Sequence, residues 1–404
     1  MLATLKPRLN SPYSLWLTGL LALMATGAVA GLVVFARGLV VTNLSDYVPW
    51  GLWITIDITS IALSAGAFAL CAGAYLMGLK QLRPLARTAA FVGLTGYTMA
   101  MLCLLLDIGR PDRFWHGFVF WNVHSVLWEV TMCVGLYFSV LMMENASTVA
   151  ELPWLKQRFP ALAAKMHHLH HYTPALAVAG LGFSLLHQSS LGATYGVLAS
   201  RPIWFRPGLA VLFIVSAVIG GVAMTLLVSM LTKRLRPETA VDDSLISNVS
   251  RALGWMLIGY LYLRFWDLFA MTYTYTPGRS EGLHLLTKGP LAFNFWVGEM
   301  LVGVVLPIAI LLVARWRSNP NLRMAALASV VVGLIAYRWD TNLLGQLIIT
   351  SPFTGAEELR LATYFPSLVE WLTAGGVIAF GLLILTLGIR YLRVVDHDHE
   401  SCRV

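Results

Sequence analysis

Two short stretches carry side chains that can exchange protons where little else is polar. NVHSVLWEV (122–130) holds His124 and Glu129, and LHQSSLG (186–192) holds His187. Carboxyl and imidazole groups do general acid–base chemistry when their surroundings tune them. Other ionisable residues in apolar runs are Asp57, Arg264, Asp267, Glu299, Arg338, Asp340 and Glu370. A charge buried in apolar surroundings is costly, so each is a candidate for function.

Spacing separates some of them. Arg264 and Asp267 are three apart, share a helix face and pair. Arg338 and Asp340 are two apart, so each needs a partner on another helix. His124 and Glu129 are five apart, roughly 140° around a helix. They form two separate sites on one helix, and Ser125 is the residue that shares Glu129's face. Glu129 has two open readings: a protonated acid bonding a neighbouring helix, or a proton carrier. His187, beside Gln188 and Ser189, suits an imidazole that bonds a ligand and exchanges a proton. Asp57 follows PWGLW, aromatic residues typical of a membrane interface, and reads either as a helix anchor or as a proton site.

The elements that position these groups follow from composition. Of the 404 residues, 58% are hydrophobic and 12% charged, with mean hydropathy +0.72. Soluble domains carry about a quarter charged residues. The chain is therefore an all-α, polytopic membrane protein. Ten runs are long enough to span: roughly 14–36, 52–79, 86–107, 119–143, 172–190, 208–231, 252–275, 291–314, 322–349 and 367–391. Ala28-Val29-Ala30 resembles a cleavage site, but the first run continues past it to Phe35 and reads as a retained helix. The +8 net charge sits at the ends of the apolar runs and forms no basic face, which argues against nucleic acid. Eighteen Lys and Arg fall on one side, Lys6, Arg8, Arg393 and Arg403 among them, and eight on the other. Both termini are thus expected in the cytoplasm, and the titratable groups crowd the outer half above a nearly apolar inner half. Cys71, Cys103, Cys133 and Cys402 lack metal-ligand spacing.

A faint repeat relates Pro49 and Trp50 to Pro202 and Trp204, HQSSLG (187–192) to DTNLLG (340–345), and Glu129 to Glu299. Residues 48–200 and 201–350 would be parallel copies of a four-helix unit, spans 2–5 and 6–9, inside one transmembrane domain covering 1–404. LDIGRPDRFWHG (106–117) reads as a rigid outer loop or a docking surface, in which Asp107 caps a helix or pairs with Arg110. KMHHLHHY (165–172) reads as a polar cluster at the inner membrane surface rather than a metal site.

PWGLWITID (49–57), LLLDIGR (104–110), NVHSVLWE (122–129), LHQSSLG (186–192), LRFWDL (263–268), FWVGEML (295–301) and YFPSLVEW (364–371) together resemble the NrfD/PsrC family. The likeness covers nearly the whole chain and is nearest to the branch of HybB-like hydrogenase membrane subunits and DsrP. It implies a quinone-reactive subunit of the bacterial inner membrane with no metal or haem of its own. A periplasmic, ferredoxin-like iron–sulfur subunit and further redox subunits would exchange electrons with menaquinone or ubiquinone held among the helices. Family carboxylates and histidine match Asp57, Asp107, Glu129, His187, Asp267 and Glu299, while His124 stands where relatives more often carry Asn.

Quinone chemistry moves two electrons and two protons. Glu129, His187 and Asp57 are the expected proton-transfer residues, with His124, Asp107, Asp267 and Glu299 as further candidates around the quinone. Two other classes fit the composition. One is a b-type cytochrome with His124 and His187 as axial ligands of one haem. The other is a secondary transporter, where repeats and intramembrane charges also occur.

Overall fold

The computed structural model describes residues 12–237, 241–274, 276–351 and 358–392. Lys6, Arg8, Arg393, Cys402 and Arg403 lie outside the described residues. Ten long helices follow one another: α1 Pro12–Arg37, α2 Leu52–Tyr75, α3 Arg83–Asp107, α4 Val126–Ala150, α5 Thr173–Gly196, α6 Gly208–Leu235, α7 Asp243–Tyr273, α8 Asn294–Leu312, α9 Pro320–Leu347 and α10 Leu368–Tyr391. Eight of them are long and apolar enough to cross a membrane. The other two, α5 and α7, are 24 and 31 residues long but more polar. At 1.5 Å per residue each exceeds the ~30 Å hydrocarbon core. The first part of α8, Asn294–Val305, is π-helical.

Local chemistry sets several helix starts. Asn319 accepts from the backbone N–H groups of Asn321 and Leu322, and Pro320 fills the first helical position, where no N–H is needed. Ser367 and Glu370 form a reciprocal capping box at the head of α10. Ser125 caps α4 by accepting from Trp128 N–H.

That last cap moves the fourth span from the expected 119–143 to 126–150. The aromatic run FVFWNV looks like membrane helix by hydropathy, yet Phe120, Trp121, Val123 and His124 lie exposed in the outer loop. The fifth span runs to Gly196 rather than 190, which places His187 nine residues from its outer end, about 14 Å. A small antiparallel hairpin, β1 Ile348–Ser351 with β2 Glu358–Leu361, follows α9 and pairs Ile348 with Leu361.

Helices α2, α3, α4 and α5 pack as a closed ring, each against the next, with α5 returning to α2. Helices α6, α7, α8 and α9 form a second ring with the same order of neighbours. The rings meet along α2 and α6, while α1 and α10 pair beside α3. At the α2–α6 crossing a Cβ on Gly66 would fall 1.7 Å from the Ala217 carbonyl oxygen, and one on Gly221 would fall 2.0 Å from the Ala67 nitrogen. Only glycine lets the two backbones touch there. The rings share a continuous core that includes Phe68, Tyr97, Tyr137, Phe213 and Tyr337.

Candidate functional site

Asp57, Asp107 and His187, three titratable groups of the first ring, have open hydrogen-bonding positions. Asp57, the sixth residue of α2, is 2% exposed, and its Oδ1 has no partner. His187 of α5 is fully buried; its Nδ1 lies 2.7 Å from the Tyr97 hydroxyl of α3, and its Nε2 has no partner. Either tautomer of the imidazole leaves Nε2 unbonded. Tyr97 also stands near enough to Asp57 to feel its charge. One turn along α5 from His187, the Ser190 hydroxyl donates to Glu129 Oε1 at 2.6 Å. Asp107, the last residue of α3, has an unpartnered Oδ1 and lies within electrostatic reach of both Asp57 and Glu370.

Glu370, at the head of α10, lies beside Asp107. It accepts from the backbone N–H groups of Asn43 at 3.0 Å and Ser367 at 2.8 Å, and from the Tyr364 hydroxyl. Burial, reinforced by that hydrogen bond, pushes the Tyr364 phenol above its ordinary value, so it stays a donor. Three donors thus hold the Glu370 carboxyl in place. Asp57 and Asp107 have no comparable set of donors.

The second ring holds an ion-pair network around Arg264, while Asp340 Oδ2 and Arg338 Nε and Nη1 have no partner. Arg264 Nε and Nη2 reach Glu299 Oε1 and Oε2 at 2.8 and 3.2 Å, and Tyr260 donates to Oε1 at 2.8 Å. Arg264 also pairs with Asp267 at 2.8 Å, and Arg206 closes on Asp267 at 2.6 Å. Two guanidinium groups thus balance two carboxylates. Asp340 accepts from Asn294 at 2.8 Å. Arg338 is fully buried and reaches the Phe213 carbonyl and the Ser216 hydroxyl, each at 3.1 Å. Its guanidinium lies 3.8 Å from the centre of the Phe213 ring. A small cavity of about 20 Å³ between Ser216, Tyr260, Glu299 and Tyr337 has room for a single water.

The structure therefore brings His187 and Asp57 to Tyr97, joins Asp107 to Asp57 and Glu129 to Ser190 one turn from His187, and places Asp267 and Glu299 in a separate ion network. His124 joins neither. It is exposed in the turn before α4, where its N–H approaches Asn122 Oδ1, so the helical geometry expected for it does not apply. The alternative reading of an axial pairing with buried His187 has no support from this placement. Asp107 does not pair with Arg110. Arg110 turns outward to Asp112 at 3.2 Å and holds that exposed carboxyl below its ordinary value.

Two participants, Tyr97 and Glu370, and one buried acid outside the site, Glu144, are not identified by the sequence. Tyr97 carried no signal, being a single phenol in an apolar helix. Glu370 was recognised as buried but not as part of the site. Glu144 fell outside the expected fourth span; it sits six residues from the inner end of α4 with an unpartnered Oε2. The half of the bundle away from the site is thus less apolar than expected.

The family model described as polysulphide reductase, NrfD, matches residues 40–350. The chain is 32% identical over 401 residues to the menaquinone reductase integral membrane subunit of Nitratidesulfovibrio vulgaris, covering 97% of this chain and 94% of that one. It is 26% identical over 393 residues to the probable Ni/Fe-hydrogenase 2 b-type cytochrome subunit of Escherichia coli, covering 92% and 91%. It is 24% identical over 387 residues to the Hdr-like menaquinol oxidoreductase integral membrane subunit of Archaeoglobus fulgidus, covering 93% and 92%. Two of these relatives are named as integral membrane subunits of menaquinone- or menaquinol-linked enzymes, and this chain belongs to the NrfD polysulphide reductase family.

Proposed function

We propose that the chain is the quinone-reactive membrane subunit of a redox complex, with its quinone site in the ring α2–α5. The carrying observation is the pair of buried, unpartnered atoms near Tyr97: Asp57 Oδ1 and His187 Nε2. A quinone oxygen needs a hydrogen-bonding partner that can give or take a proton, and both atoms qualify. The second ring differs in that Arg264 already neutralises Glu299, although Asp340 Oδ2 and Arg338 Nε and Nη1 stay open. If the two rings descend from one duplicated unit, they have diverged into a reactive half and a structural half.

His187 donates or accepts at one quinone oxygen, and Tyr97 holds the imidazole in orientation. Asp57 and Asp107 exchange the second proton toward the outer surface beside Glu370. Glu129 serves as a further proton carrier through Ser190. Electrons pass to or from an iron–sulfur subunit of ferredoxin type docked on the periplasmic face. The exposed Phe114, Trp115, Phe120 and Trp121 with Arg113 form the contact surface for it. The relatives named for menaquinone and menaquinol favour menaquinone as the substrate. The excess of cations on one side favours the bacterial inner membrane with cytoplasmic termini.

Asp57→Asn and His187→Gln test this reading in the assembled complex. Each is expected to cut quinone-linked turnover by about 10²-fold or more, the scale of general acid–base catalysis. Normal turnover in assembled complexes carrying either variant would sink the assignment.

A further inference from the structure

The connector between α4 and α5 is a surface device of its own. It comprises the short helices Pro153–Arg158 and Pro160–His168 and a 3-10 turn Leu169–Tyr172. It lies on the membrane side that carries most of the loop cations. Leu155 and Ala163 are buried and anchor it to the bundle. Trp154, Phe159, Leu162 and Tyr172 are exposed, and Trp154 is 66% exposed. Interleaved with them are Lys156, Arg158 and Lys165, exposed and outside every ion pair seen among the described residues. The nearest acid in sequence, Glu151, is already engaged by Arg87 at 3.2 Å.

The connector also stands at the lipid-facing rim. Met142 and Met143 near the inner end of α4 are exposed, as is Val178 near the start of α5. Facing water, four large apolar side chains would be a liability; at the headgroup level they insert beside the acyl chains. Cations at that height meet the phosphates of the negatively charged cytoplasmic leaflet.

We propose that residues 153–172 form a binding surface for anionic phospholipid headgroups. Lys156, Arg158 and Lys165 engage the phosphates, and Trp154, Phe159, Leu162 and Tyr172 enter the interface. Each cation adds roughly fivefold to the preference for an anionic lipid, and the three together on the order of a hundredfold.

The test reconstitutes the full-length chain in vesicles of equal parts phosphatidylcholine and phosphatidylglycerol. Lipid retained after mild detergent extraction is then counted by native mass spectrometry. The unmodified chain is expected to retain phosphatidylglycerol preferentially. K156Q/R158Q/K165Q should lose most of that preference, and K156R/K165R should keep it. Equal retention of the two lipids, an unaltered preference in the triple variant, or loss in the charge-preserving variant overturns the proposal. Displacement by inorganic phosphate alone also overturns it, by assigning the cations to a free anion. Should the triple variant fail to fold, hydrogen exchange on the unmodified chain decides. Phosphatidylglycerol must slow exchange across 153–172 relative to phosphatidylcholine, and identical exchange in both lipids rejects the proposal.

Discussion

The Tyr97 hydroxyl lies 2.7 Å from His187 Nδ1, and both side chains are fully buried. This one contact ties α3 to α5 and leaves the far nitrogen of the imidazole as its only open position. The Tyr97 ring packs edge-on against Tyr137 at 5.0 Å, so the phenol cannot swing away without breaking the core.

Tyr97→Phe keeps that ring packing and removes only the hydroxyl. A hydrogen bond to a buried group contributes about 1 kcal/mol net, and the orphaned nitrogen adds about 1–3 kcal/mol. Turnover of the assembled complex should fall about tenfold, with the larger effect on kcat. Unchanged kcat would show that the contact does not orient His187.

Glu129→Gln separates proton exchange from packing. The amide oxygen can still accept from Ser190, so the fold should persist. Quinone-linked turnover should drop by about tenfold or more. An assembled complex with full turnover would make Glu129 a structural acid.

Glu299→Gln should behave differently, because it leaves Arg264 short of a buried counter-charge. Breaking one side of a buried pair costs about 3–5 kcal/mol, whereas replacing both partners by apolar groups is often near neutral. E299Q should therefore lower the thermal stability of the purified chain more than the double variant E299M/R264M. If the double variant is the less stable of the two, the network contributes more than charge compensation.

Gly66→Leu tests the contact between the two rings. The new side chain meets Ala217 backbone at a distance that no rotamer relieves. Overpacking of this kind costs about 1–3 kcal/mol or more. Loss of monodisperse protein on size-exclusion chromatography is expected. A normal profile and melting temperature would mean that α2 and α6 separate at little cost.

The sequence by itself determined the membrane class, the ten helical segments and the identity of nearly every buried charge. Composition and run length report directly on the cost of placing residues in lipid. It also determined the Arg264–Asp267 pair, because i,i+3 spacing is a property of one helix. Tertiary structure decided the rest. Glu299 joined Arg264, and Asp57 was left without a donor, because partner choice depends on which helices meet. Nothing within a single helix encodes that. The same holds for His124. Aromatic residues at the membrane surface are as hydrophobic as those within it, so hydropathy carried the fourth helix seven residues too far outward. The Ser125 cap and the folded outer loop set its true start, and with it the depth of every group on α4.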